Sequence, residues 1–331
     1  MGGFRFFLSI MVALSHAGIY FYGFNQGVVA VAIFLIISGY TTDIVLEKKY
    51  ATLSTSSLKA FYINKLTRIF PEYLFYVVFT LVVICVFHLE HETIHQIEFG
   101  AVCFNLLLVP IAYSSMFGVF ANAFASCLVI PAAWTLGLQF TYYFISPFLR
   151  FLMEKRKRIG VMFFFLSFFL FCLSVTNRLN GYFGYSYIFG SLWIFLLGAY
   201  IRDEKYKVLI SGGVLLACLM FLYIGKTGNY AVGFNKEILM GVCIGFPVVY
   251  LLKDFPRGKI DNFLGSISFG IYLNHFTVKT ILINIWNHEP CKFIEWLIMI
   301  LLSILLATIS YFLIHYLNKA ITNLKASVIR R

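Results

Sequence analysis

The 331-residue sequence predicts an all-α, polytopic integral membrane protein of about ten transmembrane helices, with both termini cytoplasmic. Three observations predict it. The composition is 61% hydrophobic and only 12% charged, whereas a soluble domain carries about 25% charged residues. Apolar runs recur along the whole chain, and a helical crossing needs about 20 such residues. Lys and Arg gather in alternate connections, the pattern of loops that stay on the cytoplasmic side. No stretch is polar enough for a separate soluble domain, so residues 1–331 read as one transmembrane unit.

The apolar runs fall at 4–22, 27–42, 67–88, 131–149, 159–176, 182–201, 207–225, 237–252, 263–285 and 293–317. The first lacks a small-x-small cleavage pattern and is followed at once by a second, so it reads as a retained helix. With the N-terminus inside, 21 of the 26 Lys and Arg fall in inside segments. Only Arg178, Lys226, Lys236, Lys279 and Lys292 fall outside. The interrupted run at 99–113 is placed within one long external excursion, 89–130, because a crossing there would turn Arg150–Arg158 outward. The net charge of +12 lies in these short loops, which argues for anionic lipid or a phosphate-bearing ligand and against nucleic acid. Seven cysteines (85, 103, 127, 172, 218, 243 and 291) show no metal-ligand spacing; most fall inside apolar runs and read as small buried apolar residues, while Cys103, Cys127 and Cys291 are the candidates for a place outside. His88, His91 and His95 share a helical spacing, but no fourth ligand accompanies them, so no metal is expected.

Polar residues inside apolar helices carry the functional information. Arg5 and His16 are eleven residues apart, which places them on one face of the first helix, about 16 Å apart along its axis. An imidazole at that depth can take a proton from a hydroxyl or bond a neighbouring helix. Ser38, Gly39 and Tyr40 end the second helix, where small residues permit close packing. Lys65, Arg68 and Glu72 follow i, i+3, i+7 and form a stripe at the cytoplasmic mouth, with Pro71 among them. That stripe serves as a positive-inside anchor or as a clamp for phosphates. Trp134 begins the fourth helix, with Gln139 and the pair Tyr142 and Tyr143 deeper. Tyr272 and His275 share a face of the ninth helix beside Asn274.

In this order the segments resemble the membrane-bound acyltransferase family 3, whose members O-acetylate bacterial surface glycans. The matching residues are Arg5 with His16; Ser38, Gly39 and Tyr40; Lys65, Arg68 and Pro71; Trp134, Thr135, Leu136 and Tyr143; and Ser268, Phe269, Tyr272, Leu273 and His275. The chain departs from the family pattern at Lys65 (often Arg), Gln139 (often Glu), and Ala30 and Ala32 (often Gly and Asp).

The resemblance implies an O-acyltransferase of a bacterial inner membrane. Acetyl-CoA or another acyl-CoA would be its cytoplasmic co-substrate, and a surface or lipid-linked glycan its acceptor. His16 is then the expected general base, with Arg5 on its face. Lys65 and Arg68 are the expected acyl-CoA phosphate ligands. Ser38, Tyr40, Trp134, Gln139, Tyr143, Tyr272 and His275 are expected on the acceptor side or in support. No permanently bound cofactor or metal is expected. Acceptor selectivity is expected from the external loops 89–130 and 177–187, since little chain follows the tenth run. Two other readings stay open from the residues alone: a flippase of a lipid-linked saccharide, or an inactive relative assisting glycan export, for which Gln139 is the main reason.

Overall fold

The computed structural model describes residues 1–90, 105–108, 112–113, 128–181, 183–227, 234–256 and 258–329, with the backbone alone for 204, 318 and 320–329. The described residues are helical apart from turns and one isolated bridge between Phe21 and Phe24. Ten helices of 13 residues or more carry the fold among them. They are α1 (Gly2–His16), α2 (Gln26–Lys49), α3 (Thr55–Phe87), α4 (Trp134–Lys155), α5 (Lys157–Val175), α6 (Ile188–Tyr200), α7 (Lys207–Thr227), α8 (Asn235–Leu252), α9 (Lys259–Trp286) and α10 (Phe293–Ile329).

Six are long and apolar enough to cross a membrane: α2, α3, α5, α7, α8 and the Phe293–Leu317 part of α10. Helices α1 and α6 are apolar but shorter. Helices α4 and α9 fall outside both groups. Their polar residues, among them Gln139, Asn274, His275 and Lys279, dilute the hydropathy of otherwise apolar helices.

Helix ends differ from the apolar runs where turn chemistry or capping decides them. The first run continues to residue 22, yet α1 stops at His16. Gly18 and Gly23 take positive φ, at 80° and 74°, and turn the chain back through Phe21 and Phe24. Ile, Tyr and Phe in this turn look helical to a hydropathy count, but glycine conformation ends the helix. Helix α2 is capped by Asn25, whose side chain accepts from the N–H of Gly27 and Val28 at 3.0 and 3.2 Å. Helix α3 starts at Thr55, well before its apolar run, because the Ser54 side chain caps it at Ser57.

The helices alternate in direction. Arg5 meets Gly265 and Ser9 meets Ser268, so α1 and α9 are parallel. Thr80 meets Thr277, which places α3 parallel to both. Gln139 meets Ser38, and Arg150 pairs with Asp43, so α4 follows α2. Tyr40 donates to the Lys253 carbonyl, which sets α8 along the same direction. The connections at the Met1 end therefore carry Lys48, Lys49, Arg156, Lys157, Arg202, Lys205 and Lys259. Arg178, Lys226 and Lys292 lie at the opposite end.

Small residues set the tightest crossings, as expected where apolar solvent gives helices little reason to associate other than close packing. A Cβ on Gly39 would lie 1.9 Å from the Phe195 carbonyl oxygen, and one on Gly198 would lie 1.9 Å from that of Ile36. These two glycines make α2 and α6 one contact. A Cβ on Gly2 would similarly meet the Asp261 carbonyl at 1.8 Å, at the start of the α1–α9 crossing.

The cysteine expectation needs correcting. Of the cysteines expected to be buried, Cys85 is exposed and Cys172, Cys218 and Cys243 are only half-buried; Cys291, between two apolar runs, is exposed. Membrane helices are apolar on their lipid-facing sides too, so a place in an apolar run does not imply a place in the core. Cys103 and Cys127, together with His91 and His95 and most of the 89–130 excursion, lie outside the described residues. Within that excursion Asn105 is buried. It links α3 to the approach of α4: the Tyr73 hydroxyl donates to its carbonyl at 2.7 Å, and its side chain accepts from the Val129 N–H at 3.0 Å.

Candidate active site

A cavity of about 650 Å³ lies between α1, α2, α3, α4 and α9. That size suits a small organic ligand. Exposed Arg68 and Asn262 border it, together with Met1 and Asp261, so it opens at the Met1 end. Its lining is mixed, with polar Ser9, Ser38, Gln139 and Tyr143 beside apolar Val31, Phe34, Leu35 and Ile69. Thr135 and Tyr272 close its inner end.

Several of the polar lining residues are held by other helices. Arg5 donates from Nη2 to the Gly265 carbonyl at 2.8 Å, which fixes its guanidinium against α9 while it lines the cavity. Gln139 donates from Nε2 to Ser38 Oγ at 2.7 Å, and Ser38 donates to the Tyr143 hydroxyl at 3.4 Å. This chain crosses from α4 to α2 and back. The Tyr272 hydroxyl contacts Thr135 Oγ1 at 2.5 Å and the Ala132 carbonyl at 2.9 Å, locking α9 to the start of α4.

Beyond Tyr272 lies an imidazole pair. His275 is 1% exposed, with Nδ1 3.2 Å from the Ile271 carbonyl and Nε2 without a hydrogen-bond partner among the described residues. Its ring stacks on that of His16 at 5.2 Å between centroids, and His16 also packs on Phe276 at 4.5 Å. His16 is exposed at the end of the bundle opposite Met1 and does not line the cavity. The order along the bundle is therefore Arg68 and Arg5 toward the opening, Tyr272 at the inner end, then His275, then His16.

The residues singled out from the sequence divide accordingly. Arg5, Ser38, Arg68, Gln139, Tyr143 and Tyr272 line one cavity. His16 and His275 form the pair beyond it. Lys65 is not at the mouth: it is 3% exposed, donates to Thr42 Oγ1 at 3.0 Å and lies over the Tyr143 ring at 4.0 Å, behind the wall. The i, i+3, i+7 positions share an arc of only about 60°, so the separation comes from the neighbours: Thr42 of α2 and Tyr143 of α4 cover Lys65 while Arg68 stays exposed. Tyr40 donates to the Lys253 carbonyl at 3.0 Å and Trp134 packs edge-on against Tyr185 at 4.6 Å, both away from the cavity.

Two features escaped sequence reasoning. Lys279, one turn past His275, is 9% exposed and paired with Glu289 at 3.1 Å, which puts a cation close to the imidazoles; the i, i+4 spacing was its signal. His288, Cys291 and Glu295 also bring ligand-type atoms within 4.8 Å of one another. There, Glu295 Oε2 accepts from the N–H groups of Cys291 and Lys292 at 2.9 and 3.1 Å, which is the work of a helix cap.

Comparison with known proteins gives the family. An acyltransferase-domain family model matches residues 1–315. An uncharacterized protein of Aquifex aeolicus is 31% identical over 61% of this chain and 91% of its own length. The ORF330 protein of Acidianus two-tailed virus is 25% identical over 69% of this chain and 67% of its own. The O-acetyltransferase OatA of Staphylococcus aureus is 24% identical over 94% of this chain, and the match spans 55% of OatA. No solved structure matches significantly. The chain is a multi-pass membrane protein belonging to the family 3 acyltransferases.

Proposed function

We propose that this chain is a membrane O-acyltransferase that carries an acyl group from cytoplasmic acyl-CoA, in the simplest case acetyl-CoA, to a hydroxyl of a surface or lipid-linked glycan. All ten helices cross the membrane in this reading, with both ends cytoplasmic. The one-sided placement of Lys and Arg supports that orientation. One observation carries the reading: a single helix, α1, presents Arg5 to a cavity open at the basic end and His16 to the opposite end.

The chemistry follows from that division. Arg68, at the opening, makes no hydrogen bond or ion pair with the described residues and is available to the phosphates of CoA. The thioester end of the donor runs inward toward Tyr272. His16 acts as general base: it takes the proton of the acceptor hydroxyl, the oxygen attacks the thioester carbonyl, and the CoA thiolate leaves. The proton then passes from the imidazolium to that thiolate. For the two substrates to meet, the Phe34–Tyr272 layer, with ring centroids 6.1 Å apart, must open during turnover. His275, stacked on His16 with Nε2 unpaired, holds the ring and offers a second proton site.

The test uses the full chain in proteoliposomes with acetyl-CoA outside and a glycan acceptor inside, following CoA release and acyl transfer. His16→Ala is expected to insert normally and abolish both signals. Normal transfer by that variant would overturn the mechanism.

A further inference from the structure

A buried carboxylate oxygen without a partner is costly and calls for an explanation. Glu72 has one. It lies on α3 one turn beyond Arg68, on the same face, and lines the cavity. Its Oε1 is buried with no hydrogen-bond partner, and no described Lys or Arg forms an ion pair with it. Gly270 makes room for it, since a Cβ there would lie 2.8 Å from Oε1. The nearby Tyr76 hydroxyl is already engaged with Ser310 at 2.6 Å and Asn274 at 3.4 Å. Asp261, the other carboxylate of the cavity, accepts from the Gly3 N–H at 2.8 Å and from the terminal ammonium at 3.2 Å. Glu72 is thus the one acidic acceptor in the cavity that the described residues leave uncommitted.

We infer that Glu72 accepts an N–H of the acyl donor's pantetheine arm and sets how deep the thioester sits; this rests on the cavity being the acyl-CoA site. The position fits the donor's chemistry. Glu72 is four positions on from Arg68, roughly 6 Å along the helix axis. A carboxylate repels phosphates, so it belongs beyond the anionic head and not beside it. Past its pyrophosphate, CoA continues as an uncharged arm with two amides. Those N–H groups lose water on entering the cavity and need acceptors. The apolar lining residues Val31, Phe34, Leu35 and Ile69 supply none. Among the polar lining residues, the Gln139 amide N–H is already given to Ser38.

The experiment measures binding of CoA, and of adenosine 3′,5′-bisphosphate, which is the head without the arm, to the purified full chain in detergent. For Glu72→Leu, CoA is expected to bind about tenfold or more weakly, the loss of one hydrogen bond to a charged group. The bisphosphate is expected to bind as it does to the parent. Glu72→Gln keeps an acceptor oxygen and is expected to retain CoA affinity to within about threefold. In the unaltered protein, CoA is also expected to shield Glu72 from a carboxyl-directed carbodiimide, read by mass spectrometry, and the bisphosphate is not. Unchanged CoA binding by Glu72→Leu, parallel loss of both ligands, or equal labelling with either ligand would overturn the role of Glu72. Failure of the parent to bind either ligand would instead overturn the acyl-CoA reading of the cavity, and this inference with it.

Discussion

Replacing Gly39 by alanine tests whether the α2–α6 crossing positions the cavity wall. The added Cβ would sit 1.9 Å from the Phe195 carbonyl oxygen. Ordinary contact needs about 3.4 Å, so the two helices must retreat by roughly 1.5 Å at this point. The obstacle is backbone, which cannot swing aside as a side chain can. Overpacking of this kind costs about 1–3 kcal/mol, which for a protein of this size lowers the melting temperature by about 2–4 °C per kcal/mol. Gly198→Ala meets the same crossing from the other side, at 1.9 Å from the Ile36 carbonyl. Once the helices have parted for one methyl, the second fits more easily. The double variant is therefore expected to lose at least about 1 kcal/mol less than the sum of the singles. Ser38 neighbours Gly39 and holds Gln139 at 2.7 Å, so turnover should fall along with stability. Thermal melting in detergent, with acyl transfer measured on the same samples, reads both. A melting temperature for Gly39→Ala within 1 °C of the parent, or strictly additive losses in the double variant, would refute the reasoning.

Three further outcomes are expected. Arg68→Met should raise the KM for acyl-CoA about tenfold, through loss of a charge-assisted phosphate contact. Lys65→Met should leave KM within about twofold, because an apolar chain of similar volume replaces a buried amine. Equal rises in the two variants, in steady-state kinetics, would contradict the placement of Lys65 behind the wall. Asp261 lies outside the apolar run of α9, and the N–H groups of Gly3 and Gly2 hold its carboxyl at about 2, below its usual 3.8. A depressed pKa adds stability above the unfolded value, and that stability is lost as pH falls from about 4 toward 2. Asp261→Asn should flatten the stability profile in that window alone, as followed by melting across acidic pH.

Much of the site could be read in the residue order because helical geometry is local. The eleven-residue step from Arg5 to His16 fixes a shared face and an axial separation whatever surrounds them. Polar residues within apolar helices mark themselves out, because lipid offers them no partner. Gln139, Tyr272 and His275 were found in this way. Charge placement likewise divides the connections into two ends, since the bias depends on sequence position alone.

Neighbours decided the rest. Lys65 and Arg68 carry like charge on one turn, yet Thr42 and the Tyr143 ring enclose the first while the second stays at the opening. Spacing along one helix says nothing about which other helix covers each position. The interruption between cavity and His16 is also tertiary: Phe34 comes from α2 and Tyr272 from α9, and only their packing makes a layer. Glu72 gained its meaning the same way, from what failed to approach it. A sequence shows the groups that need partners in an apolar medium; the fold alone assigns those partners, because contact between helices is set by the packing of side chains far apart in the chain.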